Sequence, residues 1–169
     1  RLNNKLEGFR VLKSIECDIL ADGSLDLPDD VLADLDLVVC SVHYNTNISR
    51  EEMTDRILKA MGNPHCHILA HPTGRIIGER PGYEVDLEKV IDAAADWGCI
   101  LELNAHPDRL DLNDVAAKQA REAGVKIAVS TDAHSKANLH NMRFGVDQAR
   151  RGGLEAADVI NTRRWEEVA

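Results

Sequence analysis

Short apolar runs rich in β-branched residues recur along the chain at 11–20, 37–43, 66–70, 99–104 and 125–129. Each has the length of a buried strand. The segments between them carry helix signals. Leu27-Pro28-Asp29-Asp30 opens a short helix to Leu35. Ser49 and Glu52 form a capping box for a helix to Met61, which Gly62-Asn63-Pro64 stops. Leu87, Val90, Ile91, Ala94 and Ala95 line one face of a helix over 86–97. Two more helices are predicted at 113–123, stopped by Gly124, and at 138–151, stopped by Gly152-Gly153. Residues 2–9 read as the end of a helix, 157–161 as a last short strand, and Thr162 as the cap of a terminal helix. This β-α alternation predicts a single α/β domain over residues 1–169, with a parallel sheet or barrel and crossover helices.

Residues able to bind metal stand where these strands end. His43 closes the second run and His71 follows the third. Ser130-Thr131-Asp132-Ala133-His134 follows the fifth. In a barrel, strand C-termini share the face that carries chemistry. Residues two apart in a strand point the same way, so Asp132 and His134 aim at one point if the extended backbone continues. A carboxylate and an imidazole converging there suit a divalent metal; a capping Asp beside a surface His is the plain alternative. Glu16 lies inside the first apolar run, where Glu is rarely buried unless paired or coordinated. Its alternative is an outward-facing position on a half-exposed strand.

Other candidates weigh less. His65, His67 and His71 alternate, but His67 and His71 are about 13 Å apart in an extended strand, too far for one ion. His65 and His67 are read as structural. Glu102 lies mid-strand, where an internal hydrogen bond or salt bridge competes with a ligand role. His106 is a weak extra candidate at the correct end, and His140 is an ordinary helix residue.

Composition narrows the setting. The chain has 169 residues and a net charge of −9, which argues against a surface that coats nucleic acid. A nuclease stays possible, because bound cations reverse the charge inside a site. No apolar stretch of about 18 residues predicts a membrane span, and no secretory signal opens the chain. Cys17, Cys40, Cys66 and Cys99 each sit in an apolar run without a CxxC pair, so buried, reduced thiols in a cytoplasmic protein are expected. The first residue is Arg, not Met, which fits a fragment or an internal domain.

Several stretches resemble one known family. Residues 12–26 (LKSIECDILADGSLD), Ser41-Val42-His43, His71-Pro72-Thr73-Gly74-Arg75 and Ser130-Thr131-Asp132-Ala133-His134 are similar to motifs of the PHP (polymerase and histidinol phosphatase) domain. Leu25-Asp26-Leu27-Pro28, Glu102-Leu103-Asn104-Ala105 and Arg109-Leu110-Asp111-Leu112 resemble the C-terminal PHP domain of bacterial and archaeal family X DNA polymerases. The likeness runs from about Leu2 to Thr162. It implies a distorted (β/α)7 TIM-like barrel and up to three divalent ions, zinc or manganese, serving phosphoester hydrolysis. By the same resemblance Glu16 bridges two metals, His43 and His71 bind one of them, Asp132 completes a second, and His134 serves the third.

The family's opening His-x-His strand and the Asp-His strand after it have no counterpart after Arg1, and Ser14 stands where the family usually has Gly. The chain is also short of the ~250 residues of an eight-unit barrel. The expectation is a barrel lacking its first two β-α units, binding fewer metals and weakly active or inactive alone. Its expected partners are an upstream polymerase domain, the absent strands, and a second copy over the open sheet edges. The implied activity is 3′–5′ exonuclease or related processing of DNA 3′ ends. A small-molecule phosphatase acting on a phosphorylated metabolite and a non-catalytic scaffold are the alternatives. Arg75, Arg80 and Arg109 lie in loops after the third and fourth strands. Arg75 and Arg109 are the substrate-phosphate candidates, since a guanidinium matches phosphate; salt bridges to surface acids are the alternative.

Overall fold

In the computed structural model, which describes residues 2–8 and 10–168, five strands form one parallel sheet in chain order. They are β1 (Ser14–Asp18), β2 (Leu37–Ser41), β3 (Ile68–Leu69), β4 (Ile100–Asn104) and β5 (Ile127–Ser130). The helices are α1 (Asp29–Ala33), α2 (Arg50–Met61), α3 (Leu87–Trp97), α4 (Asp114–Glu122) and α5 (Met142–Arg151). β1 and β5 are the outer strands and do not pair with each other among the described residues. No described helix is long and apolar enough to cross a membrane.

The register explains how the sheet divides its chemistry. Paired residues of parallel strands share a face, and alternate residues switch faces. The pairings Glu16↔Val39, Asp18↔Ser41, Val39↔Ile68, Ile68↔Ile100, Glu102↔Ala128 and Asn104↔Ser130 define one face. It is apolar near the strand starts (Leu37, Val39, Ile68, Ile100) and polar near their ends (Asp18, Ser41, Asn104, Ser130). The opposite face carries Cys17, Val38, Cys40, Leu69, Leu101, Leu103, Ile127 and Val129, all in the buried core beneath the helices. α2 packs on α3, α3 on α4 and α4 on α5. The four cysteines are free and buried in this layer.

Helix ends follow the sequence closely. The Ser49–Glu52 capping box starts α2, Asp86 caps α3, and Asn113 caps α4 through Ala116 N–H. Strand lengths differ more. β3 keeps only two of five predicted residues, because Cys66 is tied into the preceding turn through Asn63. Residues 157–161 are not a strand. They form 3-10 turns that keep one parallel bridge, Val159 to Ile127, and Asn161 offers its side-chain amide to the outer edge of β5, accepting from Val129 N–H (2.8 Å) and donating to Val129 O (2.9 Å). The segment predicted as one helix from 138 is a 3-10 turn (Lys136–Asn141) followed by α5. Thr162 does not cap a helix; its hydroxyl donates to Ala156 O and Val159 O. Leu2 to Gly8 hold one 3-10 turn at Asn3–Lys5, and Phe9, the end of the predicted leading helix, lies outside the described residues.

α5 approaches the sheet closely at Gly145. A Cβ there would stand 2.6 Å from Val129 Cγ1 and 2.7 Å from Ala105 Cβ. Helix propensity favours Ala over Gly by up to about 1 kcal/mol, but overpacking costs about 1–3 kcal/mol. Gly145→Ala is therefore expected to lower the urea midpoint. A midpoint at or above wild type would show that α5 retreats freely.

Candidate metal centre

β1, β2 and β3 each deliver one polar side chain to the same point. Glu16 projects from β1 on the polar face. His43 lies two residues beyond Ser41, at the end of β2. His71 follows β3. Glu16 Oε1 stands 3.1 Å from His71 Nε2 and 3.3 Å from His43 Nε2, and the two rings are 5.3 Å apart. The three residues offer ligand atoms that all lie within 4.8 Å of one another.

His71 reaches this point through a backbone kink. Strand parity places Leu69 on the helix side, and a continued strand would turn residue 71 the same way. His71 instead has φ +29° and its ring meets Glu16. Such values are sparsely populated for residues other than Gly, and they concentrate at functional sites. The kink is held from several sides. His71 N–H donates to Glu102 Oε2 (2.6 Å), Gly74 N–H donates to His71 O (2.8 Å), and the Tyr83 hydroxyl reaches the same carbonyl at 3.4 Å. Gly74 itself has φ +62°, and a Cβ there would lie 2.3 Å from the Tyr83 ring.

The electrostatics suit a cation. Hydrogen bonding from His71 lowers the Glu16 carboxyl from 4.5 to about 2, outweighing the opposing effect of burial. Glu16 is thus a carboxylate at neutral pH. His71 is only 3% exposed, and its Nδ1 has no partner among the described residues. Two imidazoles and a carboxylate are donors of the kind a divalent cation takes. Two ligands 2.0–2.2 Å from a tetrahedral ion stand about 3.4 Å apart. The contacts of 3.1 and 3.3 Å match that spacing.

Asp132 and His134 are not brought into this cluster. β5 ends at Ser130, and Asp132 has φ +50°, so the extended geometry that would align the pair stops before it. Asp132 Oδ2 instead accepts from Asn104 Nδ2 (3.3 Å) and lies 3.8 Å from Arg109 Nε. The His134 ring is 84% exposed. Its Nδ1–H donates to Asp132 O (2.8 Å), which leaves Nε2 free to act as a ligand.

Glu102 is internal, as its mid-strand position suggested. One oxygen accepts from Ser130 Oγ, the other from His71 N–H and, at 3.5 Å, Asn104 Nδ2. Burial raises its pKa, opposed by those bonds. Through Glu102 and Asn104 the triad is connected to Asp132. His67 is structural, since its Nδ1 accepts from Val38 N–H (3.0 Å). It also lines a cleft of about 710 Å³ at the opposite end of the sheet. His106 Nδ1 accepts from Asp108 N–H at 3.4 Å and lies 3.7 Å from the Asp108 carboxylate, and His140 is exposed.

The arginine candidates divide. Arg75 donates Nε to Arg109 O (2.8 Å) and Nη2 to Leu110 O, bracing the loop that carries Arg109. Arg109 lies beside Asp132, and its Nη1 is buried with no partner among the described residues.

Sequence reasoning missed Asp18, Asp111 and Arg56. Asp18 shares Glu16's face and bonds His43. Asp111 is fully buried and joins the loops after β3 and β4. Its Oδ2 accepts from Thr73 N–H (3.0 Å), Thr73 Oγ1 (2.9 Å) and Gly74 N–H (3.0 Å). Burial, the largest influence, raises its pKa above 3.8. A raised folded value makes this carboxyl most favourable below 3.8, and the benefit is lost as pH rises through the folded pKa. Unfolding free energy compared between wild type and Asp111→Asn is expected to shift towards the variant across that rise. A pH-independent difference would contradict the shift.

No protein-family model matches the chain. It is 45% identical over 167 residues to the DNA polymerase/3′-5′ exonuclease PolX of Bacillus subtilis, a match covering 99% of this chain and 29% of that protein. It is 33% identical over 171 residues to a probable phosphatase of Thermoanaerobacter sp., covering 95% of this chain and 67% of that protein. A probable phosphatase of Caldanaerobacter subterraneus is 32% identical over 140 residues, covering 77% and 53%. The chain therefore spans less than a third of PolX and about two thirds or less of these phosphatases. With the metal-type triad in place on the strands whose motifs carry the likeness, the chain belongs to the PHP (polymerase and histidinol phosphatase) family.

Proposed function

We propose that the chain is the metal-dependent phosphoesterase part of a PolX-like protein and acts on DNA 3′ ends, beside a polymerase domain. The observation that carries this reading is the convergence of Glu16, His43 and His71 from three strands onto one point. Zinc or manganese fits the two nitrogens and one oxygen. A divalent ion in such a site supplies Lewis-acid activation of water and of a phosphoryl oxygen. Glu16 holds the negative charge there at neutral pH, while the two imidazoles add nitrogen donors. Asp132 and His134 would serve further ions, with Asp132 oriented by Asn104. We read the five-stranded sheet as an arc of the distorted (β/α)7 barrel.

Arg109 is the better placed of the two arginines to bind a substrate phosphate, because Arg75 is engaged with main-chain carbonyls. A charged hydrogen bond contributes about 1.5–3 kcal/mol. Arg109→Ala is therefore expected to weaken Mn²⁺-dependent binding of a DNA oligonucleotide about tenfold or more. Equal affinity would remove Arg109 from substrate binding.

A small-molecule phosphatase is the second reading, favoured by the larger share of the probable phosphatases that the chain covers. Release of nucleotides from a 3′-labelled oligonucleotide, compared with hydrolysis of a small phosphomonoester, separates the two. Both are measured with Mn²⁺ and with Zn²⁺. Faster turnover of the phosphomonoester would favour the second reading. Neither metal binding nor hydrolysis of either substrate would overturn both.

A further inference from the structure

We propose that Asp18 is the positioning residue that fixes the tautomer and ring orientation of His43. The proposal rests on reading Glu16, His43 and His71 as a divalent-metal site. Asp18 follows Glu16 by two residues on β1, so both carboxylates leave the same face. They meet opposite edges of one ring. Asp18 Oδ1 is 2.5 Å from His43 Nδ1, whereas Glu16 Oε1 is 3.3 Å from Nε2. Both ring nitrogens face a carboxylate, which can only accept; the much shorter contact assigns the hydrogen of the neutral ring to Nδ1 and leaves the lone pair on Nε2, where an ion would lie between it and Glu16. That lone pair faces the point shared by Glu16 and His71. Asp18 approaches the far side of the ring, which suits a partner of the ligand and not a fourth ligand of the same ion.

Asp18 is itself held in place. Its N–H donates to Asp26 Oδ1 (3.1 Å), and Asp26 N–H returns a bond to Asp18 O (3.0 Å). Cys17 Sγ donates to the same Asp26 oxygen at 2.8 Å. Asp26 thus pins the end of β1, and Asp18 transmits that constraint to His43. Ser41 Oγ, 3.4 and 3.3 Å from the two ring nitrogens, supports the ring from β2. A hydrogen-bond partner of this kind orients a metal-binding imidazole, and its removal lowers affinity about 10–100-fold.

The test joins two measurements on wild type, Asp18→Ala and Asp18→Asn. The first is Co²⁺ and Mn²⁺ affinity by calorimetry. The second is the His43 tautomer in the metal-free protein, read from imidazole ¹⁵N shifts, with backbone amide spectra reporting the fold. Asn is nearly isosteric but can present an amide N–H to Nδ1, which would move the ring hydrogen to Nε2. The expected result is Nδ1–H in wild type, its loss in both variants, and affinity lowered about 10–100-fold. Affinity within twofold of wild type, or lower affinity with the tautomer unchanged, would overturn the role of Asp18. If wild type binds neither ion, the metal reading fails. The tautomer then decides alone, and an identical His43 spectrum in wild type and Asp18→Asn would sink the proposal.

Discussion

Glu16→Gln is expected to lower the divalent-metal affinity of the chain by more than about 100-fold, beyond the loss typical of an outer hydrogen-bond partner. Glu16 is the only acidic member of the triad, and one of its oxygens faces both imidazoles. Gln keeps the shape but removes the charge, and its amide nitrogen can turn donors towards the rings. Because the carboxyl is held down to about 2, the comparison is between a carboxylate and a neutral amide at any ordinary pH. The side chain is 40% exposed on an outer strand, so the variant is expected to fold normally. Elemental analysis after equilibration with Mn²⁺ and Zn²⁺ reads the result, with Asp132→Asn measured alongside. Loss in Glu16→Gln alone would make the triad self-sufficient. Loss in both would mean that Asp132 turns from Asn104 and Arg109 towards the metal. Retention in both would place the binding residues elsewhere.

The site was legible wherever a ligand-type residue interrupted an apolar run or closed it. Glu16, His43 and His71 were found in that way, and the structure brings them together. Parity misled where the strand stopped being a strand. His71 and Asp132 both have positive φ, and no sequence period reports a change of backbone region in a residue other than Gly. Asp18 was discoverable, since it stands two residues from Glu16. Its position hides the role, because an acid at the end of a strand usually faces solvent. Asp111 gave less warning, as its role depends on Thr73 and Gly74, almost forty positions earlier.

The fold was legible at the level of element order, because the helices α2, α3 and α4 are each bounded by a capping side chain and a following glycine, at Ser49 and Gly62, Asp86 and Gly98, and Asn113 and Gly124. Boundaries failed where tertiary bonds took over. β3 shrank because Cys66 N–H is tied to Asn63 O and the His67 side chain, not its main chain, takes Val38 N–H. The segment over 157–161 has strand-like composition, yet only Val159 bridges β5, at Ile127, and the Asn161 side chain takes the next position along that edge. Sheet closure is a property of long-range pairing, which local periodicity does not encode.

Arg56→Ala is expected to destabilise the protein by about 3–5 kcal/mol, the largest loss among single truncations considered, from the several charged hydrogen bonds it removes. Arg56 lies on α2 at only 3% exposure. Its guanidinium donates to Ile19 O, to Leu20 O (2.8 Å), and to Tyr44 O (3.0 Å) and Asn45 O (3.3 Å). These carbonyls belong to the loops immediately after β1 and β2, beyond Asp18 and around His43. Ala would leave the carbonyls without their cationic partner in a space that its side chain cannot fill. A chain of this size loses about 2–4 °C per kcal/mol, so the melting temperature is expected to fall by roughly 10 °C. Arg56→Lys has a single ammonium and cannot reproduce the fork, so it is expected to recover only part of the loss. Arg50→Ala, which removes an exposed pair with Asp86, is the control and is expected to cost less than about 1 kcal/mol. A small effect at Arg56, similar to that at Arg50, would mean that water replaces the guanidinium and that the two loops hold their shape without it. A large stability loss accompanied by weakened metal affinity would instead tie the position of His43 to this buried cation.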